Sequence, residues 1–230
     1  MRVATFGARR VVEYSDEHWE LLELKRRRAR EVMEELQKNG LPSIVYGSIA
    51  RGDVKEKSDV DIFVPMTVPS YKIEIAVEPF EVLEKRIVQA TPSYAIKGEY
   101  VLSENTTVSF PLVKMKDREI EFYRFGGCLD LEGLKRGERV AGVDKRLVLI
   151  VPTSKGHREI PLTDLHPSSV AKLLGVSVDT VQERMRVLKR RREVGRTGIF
   201  LCEQIPLEES FESALNEIVS RNPAIRRRIN

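Results

Sequence analysis

The stretch Ile44-Val45-Tyr46-Gly47-Ser48-Ile49-Ala50-Arg51-Gly52, followed by Ser58-Asp59-Val60-Asp61-Ile62-Phe63-Val64, decides the fold of this chain. Ile44-Val45-Tyr46 reads as a strand that ends in a Gly47-Ser48 turn, where backbone N–H groups can face a triphosphate. Ser58 to Val64 reads as a second, apolar strand carrying two acids at i and i+2. Residues two apart on a strand point to one face, so Asp59 and Asp61 project together and Val60 and Ile62 point the other way. Two carboxylates that close repel each other, and a hard divalent cation relieves the repulsion. Mg²⁺ suits the place, because it accepts one or two carboxylates together with phosphate oxygens and waters. Gly47 and Ser48 would cradle a triphosphate, with Arg51 and Ser58 beside it. These are the parts of a metal-assisted nucleotidyl transfer.

The Gly-Ser turn, the later Arg51-Gly52 and the Ser58-Asp59-Val60-Asp61 run resemble the signature of the DNA polymerase beta-like nucleotidyltransferase superfamily. The Gly-Ser-x-x-Arg-Gly form is similar to that of the minimal nucleotidyltransferases and the CCA-adding enzymes. The likeness runs from Ile44 to Val64 and keeps all its parts in order. It implies an NTP substrate, Mg as cofactor, and catalytic Asp59 and Asp61 that also hold the metal.

The chain around this motif has 230 residues, enough for one large core or two smaller ones. Its 32% charged and 41% apolar residues fit a globular protein. No apolar run is long enough to cross a membrane, and the first residues lack a signal-peptide core, so the expected location is cytoplasmic. Cys128 and Cys202 lie far apart and form no metal-ligand spacing, which fits a reducing compartment. His18, His157 and His166 sit in no ligand motif. Lys, Arg and Glu are abundant and Gln is scarce, a composition that points toward a thermophile. The net charge is only +4, but positive charge is clustered at Lys25 to Arg28, Lys189 to Arg192 and Arg226 to Arg228. Each run is either a solvated helix face or part of a nucleic-acid contact.

Ser15 can cap a long helix with Asp16 and Glu17 in its first turn, Gly40 past its end, and Leu22, Ala29, Val32, Met33 and Leu36 as its apolar stripe. Tyr71 to Glu78 reads as a helix, with an alternation that also suits a strand, and Val82 to Gln89 reads as a strand. Ala95 to Leu102 and Thr106 to Leu112 read as a hairpin around Ser103-Glu104-Asn105. Asp117 to Tyr123 reads as a helix ended by Gly126-Gly127, and Arg146 to Val151 with His157 to Leu162 as a second hairpin.

The superfamily carries a third acid on a neighbouring strand. The stretch from Val82 to Lys114 is similar in layout to the archaeal CCA-adding enzymes, and that layout places Ser109 where the acid belongs. A serine hydroxyl is a poor metal ligand and a poor base. Glu121, Glu74 and Glu104 are the candidate substitutes; Glu121, in Ile120-Glu121-Phe122, is taken as the third catalytic acid.

Near the C-terminus, Ser168 to Val181 resembles a helix-turn-helix. Val170, Leu173 and Leu174 form the inner face of a first helix, Gly175 allows the turn, and Ser177 caps a second helix with a stripe of Val181, Met185 and Leu188. From Thr180 to Phe200 seven bases and two acids give a local balance of +5. Gly195-Arg196-Thr197-Gly198 followed by Ile199-Phe200-Leu201 reads as a short wing. Thr180, Gln182, Arg184, Lys189, Arg190, Arg191, Arg192 and Arg196 are the candidate contacts to DNA or RNA. Leu207 to Val219 reads as a terminal helix packing on this module or on a second subunit, and Arg226 to Arg228 as a mobile tail.

The expected fold is α+β: a mixed-sheet nucleotidyltransferase domain over 1–145, a connecting hairpin over 146–162, and a small winged helix-turn-helix domain over 163–230. A homodimer is compatible with it. The expected activity is transfer of an NMP from an NTP to a hydroxyl acceptor. The alternative is a nucleotide-sensing, nucleic-acid-binding regulator in which Ser109 has silenced turnover.

Overall fold

A computed structural model describes residues 9–195 and 198–229. In chain order its elements are β1 (Arg10–Glu13), α1 (Asp16–Lys38), β2 (Ile44–Tyr46), α2 (Ser48–Arg51), β3 (Val60–Phe63), α3 (Ser70–Val77), β4 (Val82–Gln89), β5 (Lys97–Leu102), β6 (Thr106–Pro111), α4 (Asp117–Gly126), β7 (Cys128–Asp130) and α5 (Leu131–Lys135). They are followed by β8 (Gly142–Val143), β9 (Val148–Thr153), β10 (Gly156–Pro161), α6 (Pro167–Leu174), α7 (Val178–Val194), β11 (Leu201–Ile205), α8 (Phe211–Arg221) and α9 (Pro223–Ile229).

The chain divides into two compact units, each built from three separate segments. The first takes the residues through Arg27, Val45–Ser58, and Ile120 onward as far as the end of α7. The second takes Arg28–Ile44, Asp59–Glu119, and the residues from Gly198 on.

In the first unit an antiparallel sheet runs β1-β10-β9-β8. Its apolar face carries Leu147, Leu149 and Leu162. The pair α6 and α7 closes over them with Val170, Ala171 and Val181, and Leu174, Met185 and Leu188 are packed at the margin. Gly175 ends α6 with φ 63 and ψ 39, the left-handed turn that a residue with a Cβ adopts only at a cost. Ser177 then caps α7 by accepting the Thr180 N–H at 3.2 Å. Two helices joined by a tight turn therefore occupy this stretch, α6 over Pro167–Leu174 and α7 over Val178–Val194. Leu173, read as inner-facing, is instead 55% exposed, because eight residues turn only one narrow stripe toward the sheet.

In the second unit the strand order is β11-β4-β5-β6-β3. β3 runs parallel to β6 and the other pairs are antiparallel, so the sheet is mixed. The hairpin between β5 and β6 turns through Glu104 and Asn105 at φ 59 and 52. One face of the sheet is apolar: Ile62, Val108, Phe110, Tyr100, Leu102 and Ile87 are all buried. Phe211 of α8 packs edge-on against Tyr100 and Phe110, with centroids 5.1 and 5.2 Å apart. Lys85, 2% exposed on the same side, gives its ammonium to the carbonyls of Leu207 and Glu209 and lies over the Tyr100 and Phe211 rings. A buried ammonium is tolerable only when hydrogen-bonded in this way.

Four expectations are corrected here. The Gly195-Arg196-Thr197-Gly198 turn read as a wing falls partly on Arg196 and Thr197, outside the described residues, and Leu201–Ile205, whose first residue reads as part of the strand after it, pairs with β4 as an edge strand of its sheet, its backbone being recruited by the open side of β4. The terminal helix likewise packs on that sheet through Phe211, so the division at 145 and 162 does not describe the chain. Arg226 to Arg228 belong to α9, and Arg228 is fixed by the Lys114 carbonyl at 2.8 Å and Glu119 at 3.0 Å. Within the run Lys25 to Arg28 three residues are structural: Lys25 donates to the Ser58 carbonyl, Arg26 to backbone carbonyls, and Arg28 to Thr106 and Ser103, while Arg27 is exposed.

Candidate functional site

The Gly47-Ser48 turn belongs to the first unit. Gly47 has φ 78 and ψ −139, a region open essentially only to glycine, and nothing lies within 4 Å of where its Cβ would stand. Its N–H donates to the Gly127 carbonyl at 2.9 Å, which ties the turn to the start of β7. α2 begins at Ser48 and is only one turn long. The buried Arg26 guanidinium holds its end by donating to the Ile49 carbonyl at 3.1 to 3.2 Å and to the Glu138 carbonyl at 2.7 Å. Two expected phosphate contacts have other work here. Arg51 is buried, clamps both oxygens of Asp53 at 2.9 and 3.0 Å and donates to the Gly126 carbonyl at 2.6 Å. Ser58 accepts the Lys55 N–H at 2.9 Å and so closes a turn.

The carboxylates belong to the second unit. Asp59 is exposed and stands one residue before β3; Asp61 is half-buried within it, and alternation places Asp59 on Asp61's side. The register carries this face across the sheet. Asp61 lies beside Thr107 and Phe63 beside Ser109; Ser109 in turn lies beside Glu99 on β5, and Glu99 beside Arg86 on β4. Lys97 shares the face two residues from Glu99. The Arg86 Nε donates to Glu99 Oε2 at 2.7 Å, and the Lys97 Nζ stands 4.0 Å from Glu99 Oε1. Burial pulls the Lys97 ammonium below its usual pKa, while Glu99 and Asp61 pull it back up. For Arg86 burial also lowers the pKa, but its bond to Glu99 outweighs that and leaves it raised.

This polar face went partly unread in the sequence. The alternation Lys97-Gly98-Glu99-Tyr100-Val101-Leu102, half-exposed and buried by turns, was the signal for Lys97 and Glu99. Ser109, placed by resemblance at the third acid, lies beside Phe63 and not beside Asp61. It is 2% exposed, and its hydroxyl donates to the Ile62 carbonyl at 3.2 Å. The β6 residue beside Asp61 is Thr107.

The three substitute acids have other surroundings. Glu121 stands at the start of α7, where its Oε2 accepts the Ser177 N–H at 3.1 Å, the Ser177 hydroxyl at 2.7 Å and the Thr180 hydroxyl. Burial raises the Glu121 carboxyl, but these bonds outweigh it and hold it below the usual range. That is a capping role, in place of the catalytic one expected. Glu74 sits 3.8 Å from the Lys85 ammonium, on the side of the sheet opposite Asp61. Glu104 is at the hairpin tip.

Among the expected nucleic-acid contacts, Gln182, Lys189, Arg190 and Arg191 are exposed on α7. Thr180 is buried against Glu121, and the Arg184 guanidinium lies over the Phe122 ring at 4.8 Å, so both pack inward. Arg196 and the Arg192 side chain lie outside the described residues.

Asp59 and Asp61 offer hard oxygen donors on one side of a strand, a set that fits Mg²⁺ completed by phosphate and water. Among the described residues no group of three or more His, Cys, Asp or Glu is placed to hold a metal ion by itself. No described helix is long and apolar enough to cross a membrane. No curated protein and no solved structure matches the chain. Residues 26–124, which contain the Gly47-Ser48 turn, both aspartates and the face from Arg86 to Thr107, match the family model of the nucleotidyltransferase domain.

Proposed function

We propose that this protein transfers an NMP from an NTP to a hydroxyl acceptor, using the segment that matches the nucleotidyltransferase family. The observation that carries the reading is the pair Asp59 and Asp61, ordered after a Gly47-Ser48 turn inside residues 26–124, with Asp61 on a polar, half-exposed sheet face. The open space beside Gly47 suits a close approach of a phosphate to the backbone. Asp59 and Asp61 hold Mg²⁺, which supplies charge neutralisation to the phosphates when bound. The acceptor hydroxyl attacks the α-phosphorus and the bond to the bridging oxygen breaks. Pyrophosphate leaves, and the hydroxyl proton passes to the carboxylate pair. Alignment and charge supply most of the acceleration in such a transfer.

A second reading is favoured by Thr107 and Ser109, which put no acid on β6 beside Asp61. In it, the domain binds an NTP without turnover and the exposed Gln182, Lys189, Arg190 and Arg191 of α7 contact DNA or RNA. Calorimetry with ATP, CTP, GTP and UTP, with and without Mg²⁺, tests both readings on wild type and on Asp59→Asn/Asp61→Asn. Metal-dependent binding lost in the double variant, together with pyrophosphate release, supports the transferase. Binding without release supports the sensor, and binding that survives the double substitution overturns both.

A further inference from the structure

We propose that Arg26 is a positioning residue for the Gly47-Ser48 turn: its buried guanidinium grips the backbone just after the turn, so that the turn keeps one conformation for an incoming nucleotide. This rests on the approach of a phosphate to the Gly47 backbone proposed above and names the side chain that prepares it. Every residue involved belongs to the first unit.

Arg26 stands where an apolar residue belongs. Leu22, Arg26, Ala29, Met33 and Leu36 follow one another along α1 at steps of four and three, the spacing of one helix face. The other four are buried hydrophobics, and Arg26 is buried with them at 4% exposed. A guanidinium there carries a desolvation cost that Leu or Met would not, and only hydrogen bonds offset it. The bonds go to the segment after Gly47-Ser48. Nε and Nη2 both donate to the Ile49 carbonyl, at 3.2 and 3.1 Å, and Nη2 also reaches the Ala50 carbonyl at 3.4 Å and the Glu138 carbonyl at 2.7 Å. That segment needs a hold from outside. α2 has four residues, too few to sustain a helix in water, and a helix leaves its last carbonyls without partners of their own. Arg26 serves the Ile49 carbonyl and shares that of Ala50 with the Val140 N–H, which stands at 3.2 Å. Before the turn, the Gly47 N–H is fixed by the Gly127 carbonyl at 2.9 Å. Ser48 is therefore held from both sides. The planar fork matters, because Lys carries its donors on one atom and cannot reproduce a two-nitrogen grip on Ile49 that also holds Glu138.

The test is calorimetry of the full chain with ATP, CTP, GTP and UTP, each with Mg²⁺, carried on with the nucleotide that wild type binds. A loosened turn raises Kd at unchanged stoichiometry, whereas a merely destabilised fold lowers the stoichiometry at unchanged Kd. Arg26→Met fills the same space without the charge or the donors, and it is expected to raise Kd about tenfold at unchanged stoichiometry. Arg26→Lys is expected to lie between wild type and Arg26→Met, and it decides the matter if Arg26→Met does not fold. An unchanged Kd in every folded Arg26 variant overturns the proposal. Gly47→Ala, whose methyl would stand in the open space beside the turn, is titrated alongside. Binding that is absent from wild type, or indifferent to Gly47→Ala, overturns the role of the turn itself, whereas binding lost in Gly47→Ala but indifferent to Arg26 overturns this inference alone.

Discussion

Replacing Glu121 by Ala separates a capping carboxylate from a catalytic one. One oxygen of Glu121 accepts from the Ser177 N–H, the Ser177 hydroxyl and the Thr180 hydroxyl, and Thr180 is buried. A hydrogen bond to a charged acceptor contributes about 1.5–3 kcal/mol, and stranding a buried donor costs about 1–3 kcal/mol. Three bonds on one oxygen do not add, and Glu121 is half-buried, so water replaces part of the loss. The carboxylate also faces the positive end of the α7 dipole, worth roughly 0.3–1 kcal/mol. A loss of roughly 2–3 kcal/mol is the reasoned figure, and in a protein of this size it lowers Tm by about 4–12 °C. Glu121→Gln keeps the shape and should lose about half as much. The pH dependence has a definite sign. The folded carboxyl is held below its ordinary value of 4.5, so its stabilisation is complete above that pH and is lost as pH falls through the folded value. The gap between wild type and Glu121→Gln in thermal melts should therefore close in acid. An unchanged melting temperature, combined with loss of pyrophosphate release, would refute the capping account and return Glu121 to the chemistry.

Three further outcomes are expected. Glu159 is raised by burial but lowered more by its bonds to Arg10, Arg146 and His157, to about 2; stability from it is complete above pH 4.5 and is lost toward pH 2, so Glu159→Gln should flatten the acid limb of a Tm–pH curve, and superimposable curves would contradict this. Thr107→Asp should tighten Mn²⁺ binding, because it sets an acid beside Asp61, whereas Ser109→Asp should lower Tm without that gain, because it buries a charge beside Phe63; equal effects on Mn²⁺ would show the register to be wrong. Replacing Lys189, Arg190 and Arg191 by Ala should weaken DNA or RNA binding and reduce its salt slope by about 1 for each phosphate no longer neutralised, and an unaltered slope would place the nucleic acid elsewhere on the protein.

The local grammar of the chain was legible where a single element explains its own residues. Leu22, Ala29, Val32, Met33 and Leu36 are spaced for one helix face and are all buried. β4 spans Val82–Gln89 as its pattern reads, and Gly175 with Ser177 marks the turn between α6 and α7. What failed depends on long-range pairing. Leu201–Ile205 has the alternation of a strand, but nothing in it says whether its partner is a neighbouring helix pair or β4, more than a hundred residues earlier. Arg26, Arg51 and Arg228 look solvent-directed by composition, yet each meets backbone carbonyls or acids distant in sequence. At the candidate site the two aspartates were plain from their spacing. The rest of the face needed the β3–β6–β5–β4 register, because a one-residue slip would exchange Thr107 for Val108 beside Asp61.

The strand exchange at β4 has a consequence for synthesis. β4 and β5 have left the ribosome long before β11 is made, since roughly 80 residues separate Glu119 from Leu201, about 4–16 s of translation at 5–20 residues per second. During that interval the outer edge of β4 offers unpaired N–H and C=O groups, and the Tyr100 and Phe110 rings await Phe211. The nascent sheet is thus an adhesive surface whose cover is encoded downstream of the α6 and α7 pair. A ribosomal pause within α6 or α7 would lengthen that exposure, so codon speed across residues 167–194 bears on how much of this protein reaches its native state without aggregating.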